Sequence, residues 1–137
     1  GNLGALFRTA LATGCDLVLT VGSSTDFYNP NCIRSSVGTV FRVPHAHLET
    51  EQAKDLLRAQ ELAIWTSRLD GSSSLFETKL TERAAFVFGS EHSGLSAAWG
   101  DAGMTALKIP MANEMDSLNL SASAAVVLYE HLRQRSK

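Results

Sequence analysis

Ile109–Glu130 reads IPMANEMDSLNLSASAAVVLYE, and the change of character halfway along it decides how the chain is built. The second half has the pattern of an ordinary amphipathic helix, which predicts a terminal helix over about Leu118 to Arg135. The first half cannot extend it backwards. Met104 to Ile109 reads as a buried strand, and Pro110 ends it because proline has no N–H for a sheet ladder. A polar stretch then delivers Ser117 and Asn119 to the helix start. A packed core needs none of these polar groups, so a ligand is their expected user. Ser117 as a simple helix N-cap is the competing local reading.

Working outward, the same alternation recurs upstream. Leu3, Leu6, Phe7, Ala10 and Leu11 recur at helical spacing, with Gly14 as a C-terminal stop. Asp16–Val21 reads as a first strand running into Gly22-Ser23-Ser24. Asn29-Pro30-Asn31 marks a turn, with Asn31 capping a short helix from Cys32 to about Val37. Val40–Val43 reads as a second strand stopped by Pro44. Glu51–Gln60 is an amphipathic helix with Thr50 as N-cap, and Leu62–Thr66 a third strand.

Leu69–Thr81 is polar and contains Gly71-Ser72-Ser73-Ser74, the composition of a mobile surface connection. Ala84–Phe88 is a fourth strand, and its unbroken hydrophobicity predicts a central position. Gly89–Gly94 reads as a turn, Leu95–Trp99 as a short helix, and Met104–Ile109 as the fifth strand. Strands alternating with helices predict an α/β fold with a mostly parallel sheet covered by helices on both faces. No repeat and no second domain is apparent.

Bulk properties bound the rest. The 137 residues suit one domain, and 45% hydrophobic with 19% charged residues is a globular balance. No apolar run approaches the roughly 20 residues that span a bilayer, and no leader for secretion is apparent. Cys15 and Cys32 form no CxxC pair and read as reduced thiols of a cytoplasmic protein. The net charge of −2 lacks the overall basic signature of many nucleic-acid binders, although a local patch suffices. Residues 1–48 carry Arg8, Arg34 and Arg42 against Asp16 and Asp26.

Three polar stretches stand where chemistry is expected. In open α/β sheets, ligands lie beyond the carboxyl ends of the strands. Phe88-Gly89-Ser90-Glu91-His92-Ser93-Gly94-Leu95 follows the fourth strand, and its glycines permit close backbone approach. It is not a phosphate loop, because Leu95 stands where that motif needs Lys, and no GxGxxG occurs. The second stretch is the one quoted above. The third is Asn2–Arg8 on the first helix, where six residues at about 100° each set the two side chains about 120° apart. His45 and His47 form an HxH pair, but no acid or cysteine stands near them at ligand spacing, so no metal is expected.

Together these stretches resemble the SpoU (TrmH-like) branch of the SPOUT RNA methyltransferases. Asn2-x-Gly4-Ala5-x-x-Arg8-Thr9-Ala10 is similar to that family's first motif, and Phe88-Gly89-Ser90-Glu91-x-x-Gly94-Leu95-Ser96 to its second. Ile109-Pro110-Met111 with Ser117-Leu118-Asn119-Leu120-Ser121 is similar to the third. The resemblance spans essentially the whole chain. It implies a C-terminal deep trefoil knot, a homodimer, S-adenosylmethionine as cofactor, and methyl transfer to a ribose 2′-hydroxyl of tRNA or rRNA. It implies cofactor contacts at Thr66, Gly89, Glu91, Ile109, Met111, Leu118 and Asn119. The resemblance also implies that Arg8 activates the hydroxyl, with Asn2, Glu91, Ser117 and Asn119 as the supporting shell.

A guanidinium is an awkward base, because arginine holds its proton above about pH 12. Hydrogen bonding and stabilisation of alkoxide charge is therefore the first role expected of Arg8. The strand that precedes Asn2 in the family, and the upstream RNA-binding domain of many relatives, are not in this sequence, so the catalytic domain is expected to be truncated at its N-terminus. Two rivals follow: a knotted fold that binds RNA or a partner without turnover, and a nucleotide-binding protein using the Gly89–Gly94 loop.

Overall fold

Apolar spacing builds the first helix as expected. In this computed structural model, which describes residues 2–22, 30–89, 94–113 and 118–136 apart from the side chains of Asn2 and Ser35, helix α1 runs Asn2–Thr13. Gly14 takes φ +76 just beyond it, a conformation that favours glycine. The Gly14 and Cys15 amides then donate back to Leu11 and Ala10, at 3.2 and 2.9 Å. That pair of bonds is a Schellman motif, and it satisfies carbonyls the helix end would leave orphaned.

The chain divides into two compact units, Gly1–Leu56 and Leu57–Lys137. In the first, β1 (Val18–Val21) pairs in parallel with β2 (His45–Leu48), Val18 opposite His45 and Val21 opposite Leu48. Helix α2 (Pro30–Ser36) and a 3-10 turn (Thr39–Phe41) join α1 in covering a core of Phe7, Ala10, Val18, Cys32, Val40 and Val43. Helix α3 (Thr50–Ala59) follows. Cys15 and Cys32 are free thiols.

Three expectations change in this unit. Val40–Val43 is not a strand but the 3-10 turn and its exit, and the strand begins after Pro44. Val37 and Gly38 both have positive φ (55° and 81°), which turns the chain too sharply for an extended run. Val40 and Val43 are nonetheless buried, so their apolarity reports a core and not a period. Second, Pro30 starts α2, the position where proline's fixed φ suits a helix. Asn31 lies inside the first turn, where its Oδ1 accepts from Arg34 Nη2 at 2.8 Å. Third, Thr50 is already helical, and the Glu49 amide donates to Gln52 Oε1 at 3.0 Å, half of a capping box one residue earlier.

The second unit holds a four-stranded parallel sheet in the order β4-β6-β3-β5. Its strands are β3 (Ala63–Ser67), β4 (Ser73–Ser74), β5 (Ala84–Val87) and β6 (Met104–Lys108). Helix α4 (Leu120–Arg135) places Val127 among Trp65, Leu75, Leu80 and Leu107 to form the core. Leu75 and Leu107 are fully buried, each worth about 1.5–3 kcal/mol of transfer free energy.

Here the polar stretch Leu69–Thr81 is corrected: it is not a mobile connection. Ser73–Ser74 pairs with Leu107–Lys108, and Leu75 and Leu80 supply core. Its far end is tied to α4. The Leu80 amide donates to Gln134 Oε1 at 2.7 Å, and Gln134 Nε2 donates to the Thr78 carbonyl at 2.9 Å. His131 Nε2 reaches the Thr81 and Glu82 carbonyls at 2.8 and 3.1 Å.

The fourth expected strand, β5, sits at the edge of this sheet and not at its centre. Ala84, Phe86 and Phe88 pack on the core, and the His131 ring meets Phe86 edge-on at 5.1 Å. Its continuous apolarity thus reflects covered faces, not two neighbouring strands. Leu95–Trp99 contains only a 3-10 turn, Ala97–Trp99. The terminal helix begins at Leu120, two residues later than its sequence suggests.

Candidate active site

Parallel pairing fixes where the sheet's carboxyl ends lie. Thr66 of β3 stands opposite Val87 of β5 on one side and Ala106 of β6 on the other. All three strands therefore finish on one edge. Gly89 comes two residues after β5, and Ile109 one residue after β6. With strands about 4.8 Å apart, β5 and β6 flank β3 at roughly 10 Å from each other. The loops bearing Gly89 and Ile109 thus leave the sheet on either side of Arg68.

Each loop is shaped by close backbone approach. A Cβ on Gly89 would lie against the Gly94 carbonyl carbon and 2.5 Å from the Leu95 nitrogen. The backbone of Gly94 and Leu95 therefore fills the space beside Gly89, and no side chain fits there. Gly94 itself takes φ +65. On the β6 side, a Cβ on Gly71 would sit 2.7 Å from the Leu107 carbonyl carbon and 2.9 Å from the Lys108 nitrogen. The connection from β3 to β4 thus crosses tightly over the end of β6. Arg68 secures it, its amide donating to the Leu107 carbonyl at 2.9 Å and Nη2 to the Trp99 carbonyl at 3.1 Å.

Just past β6, Ile109 is half-buried on the core cluster, and Met111 and Leu118 are half-buried. Thr66 is 1% exposed, its hydroxyl directed within the sheet to the Thr105 carbonyl at a long 3.5 Å. Asn119 is exposed and caps α4, its Oδ1 accepting from the Ala122 amide at 2.9 Å. That bond fixes the side chain and leaves the amide NH2 directed elsewhere, a donor with two N–H groups. Taken by their chemistry, Ile109, Met111 and Leu118 offer apolar surface and Asn119 an oriented amide, groups that suit a cofactor with an apolar body and polar ends.

Arg8 is exposed on α1 in the N-terminal unit, and Asn2 begins that helix. Glu91 and Ser117 lie outside the described residues. The HxH imidazoles serve different neighbours: His45 Nδ1 lies 2.9 Å from the Val43 carbonyl, and His47 Nδ1 2.9 Å from Thr20 Oγ1. Sequence reading gave Arg68 no role and took Gly71 only as part of a mobile connection. Leu75 and Leu80, two apolar residues in a polar run, were the available sign that the segment was anchored.

This parallel α/β arrangement has solved counterparts among RNA methyltransferases. A crystal structure of an RNA 2′-O ribose methyltransferase superposes with TM-score 0.91 at 39% identity, covering 99% of this chain and 52% of that one. The SpoU methyltransferase AviRb from Streptomyces viridochromogenes, in complex with AdoMet, superposes with TM-score 0.92 at 30% identity, covering 98% and 56%. The 23S rRNA (guanosine(2553)-2′-O)-methyltransferase RlmP of Bacillus subtilis is 31% identical over 133 residues, covering 97% of this chain and 53% of that protein. Residues 1–129 match the SpoU rRNA Methylase family, and the chain belongs to it. The chain spans about half the length of the curated relatives it matches.

Proposed function

We propose that this protein is an S-adenosylmethionine-dependent RNA methyltransferase that modifies a ribose 2′-hydroxyl of tRNA or rRNA. The observation that carries the proposal is the shared edge of β3, β5 and β6, where the segments carrying Gly89 and the apolar residue Ile109 leave the sheet on either side of one strand end. The relatives support the chemistry, since RlmP is named for 2′-O methylation of 23S rRNA and AviRb was solved with AdoMet.

The cofactor, when bound, supplies an electrophilic methyl group on a sulfonium whose leaving group is a neutral thioether, so no metal is required. Backbone around Gly89, Ile109 and Leu118 holds it, Met111 and Leu118 wall it, and Thr66 lines the floor. Glu91 and the Asn119 amide orient its polar ends. Arg8 donates hydrogen bonds to the substrate ribose oxygen and stabilises the negative charge that grows there as the hydroxyl proton passes to a neighbouring RNA phosphate and on to water. Asn2, Ser117, Glu91 and Asn119 position groups around that centre.

The active assembly is a homodimer in the cytoplasm, with helices on both faces of the sheet. The terminal segment is threaded into a trefoil knot. Support for the threading comes from β6, which lies between β3 and β4 although those two strands are joined by the short connection through Gly71. Residues 1–137 serve as the catalytic domain.

Transfer of radiolabelled methyl groups from S-adenosylmethionine into unmodified tRNA and rRNA transcripts tests this, with nuclease digestion to identify the product. A labelled 2′-O-methylnucleoside is the expected result. Saturable cofactor binding without incorporation into any transcript would favour the non-enzymatic alternative, a knotted domain that binds RNA or a partner without turnover.

A further inference from the structure

We infer that the turn between α2 and β2 is a docking platform for single-stranded RNA, built from Val37, Phe41, Arg34 and Arg42; this rests on the RNA-methyltransferase reading and adds to it where the RNA strand lies. Packed together, α1, α2 and the 3-10 turn through Arg42 contain Arg8, Arg34 and Arg42 and no Asp or Glu, and all three arginines are exposed. Elsewhere in the unit the described acids, Asp16, Glu49, Glu51 and Asp55, lie outside these elements. A chain with net charge −2 has thus concentrated positive charge on one helical layer, the local patch that a polyanion needs.

Apolar exposure falls on the same turn. Val37 is 72% exposed and Phe41 64%, while Val40 and Val43 between and beside them are buried. Val37 is held outward at φ 55, a left-handed conformation that a β-branched residue rarely adopts. Strain of this kind persists only where surrounding structure enforces it, and it gathers at functional positions. The enforcing bonds run in series. Ser36 Oγ donates to the Ile33 carbonyl at 2.8 Å and Thr39 Oγ1 to the Ser36 carbonyl at 2.7 Å. The Phe41 and Arg42 amides then donate to the carbonyls of Gly38 and Thr39, at 3.1 and 2.9 Å.

An exposed aromatic ring on a hydrogen-bonded turn, with Arg42 next to it in sequence and Arg34 on the helix packed against that turn, matches what a flexible polynucleotide offers: base faces to stack on and phosphates to pair. A second copy of the chain fits less well, because a two-fold contact through this patch would set the arginines against their own copies.

The test uses the full chain and a short fluorescein-labelled single-stranded RNA of mixed sequence, titrated by anisotropy over a series of salt concentrations. Phe41→Ala is expected to weaken binding by about 5- to 100-fold, the range for loss of one stacked base, with the salt slope unchanged. Arg34→Gln with Arg42→Gln is expected to weaken binding and lower the slope by about 1.4, at roughly 0.7 per lost phosphate contact. Lys79→Gln, in the other unit, serves as the control. S-adenosylmethionine binding by calorimetry should be the same in every variant. The inference is overturned if the variants bind the RNA as wild type does, or if wild type binds none while still binding cofactor. It is equally overturned if light scattering shows that Phe41→Ala acts by dissociating a dimer. Loss of cofactor binding in the wild type would instead strike at the methyltransferase reading itself.

Discussion

The two units use the same parallel pairing to different ends. In Leu57–Lys137, backbone packs against backbone without intervening side chains at Gly71 and Gly89. Gln134, His131 and Trp65 there make hydrogen bonds to partners 16 to 56 residues away. In Gly1–Leu56, by contrast, many of the side-chain bonds are local, joining residues two to four apart around α1, α2 and the turn. The charge also differs, since the helical layer of the N-terminal unit presents arginines without acids. A close-packed region with polar groups spent internally suits a small ligand bound by backbone. An open basic layer suits a large polyanion.

Several substitutions sharpen or break that contrast. The largest effect is expected at Arg8, which the proposed mechanism assigns to the substrate and not to the cofactor. Arg8→Ala should lower methyl transfer by about 100- to 1,000-fold, as loss of one charge-stabilising donor does, while cofactor affinity stays within error. Wild-type turnover on a verified RNA substrate would remove Arg8 from the mechanism.

Next in size is a matched pair of glycine replacements. Gly71→Ala forces a Cβ onto the Leu107–Lys108 backbone and should cost about 3 kcal/mol, at the upper end for overpacking. Gly38→Ala meets nothing within 4 Å and has only its φ of +81 against it, so about 1–2 kcal/mol is expected. Urea denaturation measures both, and equal losses would deny the difference in packing. Gln134→Ala, which strands the Leu80 amide and the Thr78 carbonyl, should cost about 1–3 kcal/mol. The smallest change is expected at Asn119→Ala, where loss of the α4 cap costs about 1 kcal/mol. Cofactor affinity should fall as well if the amide NH2 faces the ligand. Unchanged affinity would confine Asn119 to capping.

The alternation of strands and helices was legible because it depends on local periodicity, and α1, α3 and α4 follow their apolar spacing closely. What escaped is instructive in each case. Val40 and Val43 are buried by a turn that depends on two consecutive positive-φ residues, a feature no hydrophobic pattern announces. Ser73–Ser74 forms a strand because β6 offers a free edge beside it, so its pairing is tertiary and not a matter of propensity. The edge position of β5 is likewise set by chain routing. At the site, Gly89, Ile109 and Leu118 stood out through motif resemblance. Arg68 and Gly71 had no such sign, because their role is to hold the end of another strand.

Titration calorimetry of the wild-type chain with S-adenosylmethionine, repeated with Gly89→Ala, tests most directly whether the carboxyl edge of β3, β5 and β6 is a methyl-donor pocket. A saturable heat for wild type that disappears in the folded variant is the predicted result. An identical isotherm for both proteins, or no heat from a folded wild type, would contradict it.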